Sequence, residues 1–212
     1  MEAVTDKSYK FLDVEENINR LWKDSGCYKA VINKDKKPYT ILIPPQNITG
    51  TLHMGHALDN TIQDVLIRAK RMQGYETLWI PGTDHAGIAT QAVVEKELIK
   101  KGESRETLGR EKFIEEVWNW ADTYKKRIIS QLIRLGVSCD WSRERFTLDK
   151  QCSKAVREAF VHFFEKGLIY KGYYIVNWCC SCSTAISDLE VKYEKIPGKL
   201  YYINYPDRKS VV

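Results

Sequence analysis

The chain has 212 residues, 43% of them hydrophobic, and a formal net charge of +5. That is enough apolar material for one or two buried cores, while no apolar run approaches the ~20 residues needed to cross a bilayer and the start Met1-Glu2-Ala3 lacks the basic and apolar regions of a signal peptide. A helical membrane protein is excluded, a cytoplasmic protein is expected, and the small positive balance leans only slightly toward an acidic partner such as nucleic acid.

Residues 1–37 read as a helical arm. Asp13 and Glu16 have capping-box spacing, Val14, Ile18, Leu21 and Trp22 share one helical face, and Gly26 ends the helix. The run 39–43 is short and continuously apolar, the pattern of a strand buried on both faces of a parallel sheet, and Pro44-Pro45 stops it. The next helix is expected to bury Leu58, Ile62, Val65, Leu66, Ala69 and Met72 and to finish before Gly74. A second strand, 76–80, leads through the loop 81–87 into a helix ending near Lys101.

Strand, helix, strand, helix argues for a parallel sheet with crossover helices, and ligands bind beyond the carboxyl ends of such strands. The loops 44–56 and 81–87 both start there, so His53, His56 and His85 are expected to converge on one crevice. Leu52-His53-Met54-Gly55-His56 places two imidazoles on the first turn of a helix, where unpaired N–H groups and the dipole favour a phosphate. The same pair also suits a metal completed by Asp84 or His85, Asp84 also suits a helix cap, and Pro44-Pro45 also suits a mere strand stop.

From Arg110 to Leu135 the apolar positions Ile114, Val117, Trp118, Ala121, Tyr124, Ile128, Leu132 and Leu135 mark one long scaffold helix closed by Gly136. Asp149 then caps a helix running to Gly167, in which His162 reads as structural. Beyond it the texture is strand-like at 173–177, 190–193 and 200–205. Three of the six cysteines, Cys179, Cys180 and Cys182, cluster in four positions, which suits thiols or a metal better than a disulfide framework. Cys179-x-x-Cys182 is half of a tetrahedral zinc site, and reduced surface thiols without metal are an equal reading.

Pro44-Pro45-Gln46-Asn47-Ile48-Thr49-Gly50 followed by His53-Met54-Gly55-His56-Ala57-Leu58 resembles the first signature of the class I aminoacyl-tRNA synthetases. Pro81-Gly82-Thr83-Asp84-His85-Ala86-Gly87-Ile88-Ala89-Thr90-Gln91 resembles the second ligand loop of their valyl branch. Leu135-Gly136-Val137, Asp140-Trp141-Ser142-Arg143-Glu144-Arg145-Phe146 and Val176-Asn177-Trp178-Cys179 extend the similarity over almost the whole chain.

The resemblance implies a fold and a reaction. The fold is α/β, an incomplete Rossmann-like parallel sheet with flanking helices over 38–172, followed at 173–212 by the β-rich start of an inserted editing or zinc-binding domain. The reaction is ATP-dependent activation of valine to valyl-adenylate, with Mg2+, and transfer to tRNA(Val); neither a membrane nor DNA is a partner. By the resemblance, His53 and His56 contact the ATP phosphates and ribose in the transition state, with Thr49, Gly50 and Gly55 on the ATP side and Gly55 letting adenine lie flat. Pro44, Pro45 and Asn47 line the amino-acid side, Asp84 pairs with the α-ammonium of valine, and Gln46 stands at the pocket edge where the family usually has proline. Cys179 and Cys182 are the candidate zinc ligands.

No Lys-Met-Ser-Lys-Ser-like loop and no helical anticodon-binding region is found, so the expectation is an N-terminal fragment of a larger synthetase, weak or inactive alone. Isoleucyl- or leucyl-type synthetases, another nucleotidyltransferase of the superfamily, and a binding module with a disabled site are the alternatives.

Overall fold

The computed structural model describes residues 9–205, which fall into two compact units divided between His162 and Phe163. In the first unit, helix α1 (Phe11–Ser25) ends on Gly26, whose φ of 62° is the left-handed turn a glycine C-cap supplies. Its start differs from the expected capping box: Lys10 is the N-cap, its side chain makes no capping hydrogen bond, and Asp13 already lies in the first turn. There its charge still complements the helix dipole.

Strand β1 (Pro38–Leu42) pairs in parallel with β3 (Glu76–Ile80), from Pro38 opposite Glu76 to Leu42 opposite Ile80, and α2 (Met54–Met72) joins them. A further short parallel sheet carries β2 (Gln46–Asn47), β4 (Gly82–Asp84) and β5 (Arg145–Phe146) in the order β2-β4-β5. Its first two strands follow β1 and β3 directly in the chain. Trp79, Ile43, Ile48, Ile67, Ile128 and Leu132 are fully buried around this framework, and Trp79 donates its indole N–H to Gln63 at 3.1 Å.

Two burial expectations are corrected here. β1 alternates between exposed and half-buried positions instead of being covered on both faces. In α2 it is Asn60 and Ile67 that are fully buried, whereas Leu58, Ile62, Val65, Leu66 and Met72 are exposed, Met72 to 90%. The inward side of α2 is the polar one because the turn after α4 (Arg105–Arg134) needs partners for its backbone. Arg68 donates to the Gly136 carbonyl at 2.7 Å, Arg71 to the Ser138 carbonyl at 2.8 Å, and Asp64 accepts from the Ser138 N–H at 2.9 Å.

The long scaffold helix is present. α4 breaks at Gly109, φ 76°, so its straight section begins at residue 110, and it buries Phe113, Ala121, Ile128 and Leu132. Helix α3 (Ile88–Lys100) packs Val94 and Leu98 against Phe113. Asp149 caps α5 (Lys150–Glu165) as expected, accepting from the N–H groups of Gln151 and Cys152 at 2.8 Å each. His162 of this helix is exposed.

In the second unit the described strands are β6 (Asn177–Cys179) and β7 (Thr184–Ile186), an antiparallel hairpin whose turn holds the clustered cysteines. The strands expected at 190–193 and 200–205 and through most of 173–177 are not formed among the described residues. Alternating apolar residues make a strand only when a ladder partner takes up the backbone groups. No described helix is long and apolar enough to cross a membrane.

Candidate active site

His53 is the N-cap of α2, in extended backbone conformation, and its Nδ1 accepts the Gly55 N–H at 3.1 Å. His56 completes a reciprocal cap, its own Nδ1 accepting the His53 N–H at 3.2 Å, and the two rings lie tilted by 42° with centroids 3.9 Å apart. A backbone N–H can only donate, so both Nδ1 atoms carry lone pairs and each neutral ring keeps its proton on Nε2. The first turn of α2 therefore offers two imidazole N–H donors to an anion at the positive end of the helix dipole. Burial, and then the neighbouring His53, push the His56 pKa below its ordinary value, which favours the neutral donor form.

Gly55 is required here for a reason of packing. A Cβ at this position would lie 2.9 Å from Cε1 and 3.1 Å from Nδ1 of His53. Any side chain would displace the capping ring.

The second loop reaches the same place through the sheet. Gln46 and Asn47 of β2 stand in parallel register with Thr83 and Asp84 of β4, and the Ile48 N–H donates to the Asp84 carbonyl at 3.0 Å. The turn from Ile48 to Leu52, which contains the half-buried Thr49 and Gly50, is then tied to α4. Trp120 donates to the Ile48 carbonyl at 2.8 Å, and Gln131 accepts from the Leu52 N–H at 3.1 Å. Five residues of chain, at most about 18 Å even fully extended, separate the Asp84 partner Ile48 from His53.

Asp84 itself is held by a residue that the sequence reading missed. Its Oδ1 accepts the Thr147 hydroxyl at 3.0 Å and the Ala86 N–H at 3.2 Å. Thr147 Oγ1 also accepts the His85 N–H at 2.9 Å and lies 2.6 Å from His85 Nδ1. With the hydroxyl proton given to Asp84, His85 Nδ1 must be the protonated nitrogen, the opposite tautomer to that of His53 and His56. Oδ2 of Asp84 has no partner among these bonds, in a half-buried carboxylate suited to a cationic ligand group.

The hydrogen bonds and ring contacts group the three histidines as a pair and a single residue. His53 and His56 pack ring against ring at a tilt; His85 is engaged by Thr147, has its Nδ1 3.3 Å from Asp84 Oδ1, and lies edge-on to Phe146, centroids 6.5 Å apart. Asn47 is exposed opposite Asp84, and Pro44 and Pro45 are exposed on the stretch that enters β2, Pro45 beside Gly82. Gln46 is only 4% exposed, in the row of Thr83 and Phe146, and strand alternation puts it opposite the row of Asn47 and Asp84. Its Oε1 and the Thr83 Oγ1 have no hydrogen-bond partner.

Among the described residues no group of three or more His, Cys, Asp or Glu side chains is placed to hold a metal. Cys179 and Cys182 do lie together in the β6–β7 turn, where the Cys182 N–H donates to the Cys179 sulfur at 3.4 Å. Backbone N–H groups of Cys182 and Ser181 pull the Cys179 thiol below its usual pKa, toward the thiolate a metal would need. The pair supplies two of the four ligands that a closed tetrahedral site needs.

Residues 17–201 match the family described as tRNA synthetases class I (I, L, M and V). The valine–tRNA ligase of Carboxydothermus hydrogenoformans is 58% identical over 198 residues, covering 93% of this chain and 22% of the relative. Those of Bdellovibrio bacteriovorus and Syntrophotalea carbinolica are 56% and 53% identical, over 97% and 100% of this chain and 23% and 24% of theirs. The chain therefore spans about a quarter of the length of the curated relatives it matches. In three dimensions it resembles the LeuRS of Agrobacterium radiobacter in ternary complex with tRNA and LeuAMS, with a TM-score of 0.73 at 19% identity, over 87% of this chain and 22% of that one. That likeness bears on the fold.

Proposed function

Because the chain belongs to the class I tRNA synthetases of the I, L, M and V group, we propose that it forms part of a valine–tRNA ligase and carries half of its activation site. The observation supporting valine over the sister amino acids is the identity of 52–58% to valine–tRNA ligases along 93–100% of the chain. On this reading, residues 38–172 are the first half of the catalytic domain and 173–212 begin an inserted, β-rich domain.

ATP lies along the start of α2. His53 and His56 donate their Nε2 protons to phosphate oxygens as charge builds at the α-phosphate, and Thr49, Gly50 and Gly55 form the adjoining wall. Such donors act by electrostatic stabilisation and positioning, with no protein nucleophile. Asp84 holds the α-ammonium of valine through its unpartnered oxygen while Thr147 fixes the carboxylate plane; Pro44, Pro45 and Asn47 line that side. Mg2+ would arrive with the phosphates and offset their charge, and no side chain of this chain is assigned to it. Zinc, if held, takes Cys179 and Cys182, with two further ligands from outside the described residues, and would brace the hairpin. The setting is the cytoplasm, and the final acceptor is tRNA(Val).

The test is amino-acid-dependent exchange of pyrophosphate into ATP by the protein that carries this sequence. Valine is expected to support exchange at least tenfold better than isoleucine or leucine; equal exchange with all three, or ATP binding with no amino-acid preference, overturns the assignment. The chain alone is expected to charge tRNA weakly or not at all, and robust charging by it would contradict the division of the site.

A further inference from the structure

A cavity of about 690 Å³ shares no residue with the crevice. It lies within the first unit, between α1 and the segment from the end of α4 to the short 3-10 turn Trp141–Arg143. Its walls carry two indoles, Trp22 and Trp141, and three cations, Arg20, Lys23 and Lys29. The cations are exposed and have no ion-pair or hydrogen-bond partner among the described residues. Asp140 is the acidic group of the lining, and it is already committed.

Only 2% of Asp140 is exposed, and its oxygens accept from the N–H groups of Ala30 at 3.1 Å and Ser142 at 3.2 Å, from the Ser142 hydroxyl, and from Arg143 at 3.2 Å. Burial raises its pKa, but these hydrogen bonds and the Arg143 charge outweigh burial and hold it low. It presents little uncompensated charge to a ligand. Trp22 is held by the Arg68 guanidinium, 5.3 Å from the ring centroid, and by Tyr28, itself in the lining, centroids 5.7 Å apart. The cavity thus combines rigid aromatic surface with an uncompensated positive rim.

A flat apolar surface with free cations at its edge is complementary to one chemistry, an aromatic base bearing a phosphate. We propose that this cavity receives an unstacked nucleotide of the tRNA, its base against Trp141 and Trp22 and its backbone phosphates against Arg20, Lys23 and Lys29. The inference rests on the tRNA ligase reading and adds to it an RNA-contact surface on the arm. The volume falls within the range of sites for small ligands, about 300–1,000 Å³.

The test measures binding of a tRNA(Val) transcript to the protein that carries this sequence, by fluorescence anisotropy at several salt concentrations, with valine-dependent pyrophosphate exchange as a second readout. The triple variant Arg20→Glu/Lys23→Glu/Lys29→Glu is expected to bind at least tenfold more weakly. Its slope of log affinity against log salt should fall by roughly two, from about 0.7 per phosphate contact on a single strand. Trp141→Leu, which keeps an apolar side chain, is expected to lose about tenfold through lost stacking. Valine exchange should stay within twofold in both variants, which also reports that they fold. A control with the same charge change on α3 and its C-cap, Lys96→Glu/Lys100→Glu/Lys101→Glu, should lose less than threefold. Equal losses in the control and the arm variant, or unchanged binding by Trp141→Leu, overturn the proposal while leaving the ligase reading in place. A wild-type protein that exchanges pyrophosphate with valine but binds no tRNA overturns the proposal as well, and one that does neither removes both.

Discussion

The crevice around His53 and Asp84 and the cysteine turn of the β6–β7 hairpin each begin from a short, chemically suggestive motif, but they are supported differently. In the crevice the two histidines, Asp84 and the turn between them are each oriented by a second group. His53 and His56 are fixed by backbone N–H groups of α2, Asp84 by Thr147, and the intervening turn by Trp120 and Gln131 of α4. The hairpin has three residues in each strand and no buried residue, and its cysteines supply two ligands. A motif becomes a site when the packing behind it removes the freedom of its side chains.

The contrast breaks first on stability. Trp79→Ala, at a fully buried position, should cost about 3–5 kcal/mol, whereas Tyr174→Ala in the second unit should stay within about 0.5 kcal/mol; urea unfolding of the purified chain compares them. Similar losses would mean that the second unit has a core of its own.

Activity should separate the regions nearly as widely. Asp84→Ala is expected to lower valine-dependent pyrophosphate exchange roughly 10²–10³-fold, the usual range for truncating one partner of a buried charge pair. Cys179→Ser/Cys182→Ser should leave the exchange within about threefold. A large loss in the cysteine variant would make the hairpin part of the activation centre.

The cysteines also differ in their protons. Cys139 is buried beneath α2 and desolvation pushes its thiol pKa far up, whereas Cys179 is lowered. The folded state therefore keeps a proton on Cys139 that the unfolded chain releases near pH 8.5, so its contribution to stability is present below that pH and is lost above it. The expected decline is about 1.4 kcal/mol per pH unit, measurable by denaturation between pH 8 and 10 against Cys139→Ala. In the folded chain Cys179 should alkylate with iodoacetamide at lower pH than Cys139.

The smallest expected effect lies inside the crevice. Gly55→Ala should displace the His53 ring from its cap and cost about 1 kcal/mol, the worth of an N-cap. An unchanged melting temperature would show that the ring can move aside freely.

How much of this was legible in the sequence varies by residue. The strand 76–80, the cap at Asp149 and the helix start at His53 were readable because each is set by neighbours in the chain. The side of α2 that turns inward was not. Periodicity identifies Leu58, Ile62 and Leu66 as one apolar face but carries no information about what lies opposite, and the backbone groups at 136–138 drew the polar face in. Thr147 escaped for a related reason: it acts on a carboxylate 63 positions away in the chain, and an isolated threonine after a short strand leaves no pattern. The register of Gln46 with Thr83 likewise depends on strands two and three residues long.

The double duty of the His53 imidazole complicates any attempt to apportion its worth. One nitrogen closes the helix and the other faces outward, so deleting the ring conflates a folding defect with a chemical one. Asparagine, a strong N-cap residue without the outward nitrogen, divides the two roles, and comparing its turnover with that of the alanine variant would isolate the share owed to the outer proton.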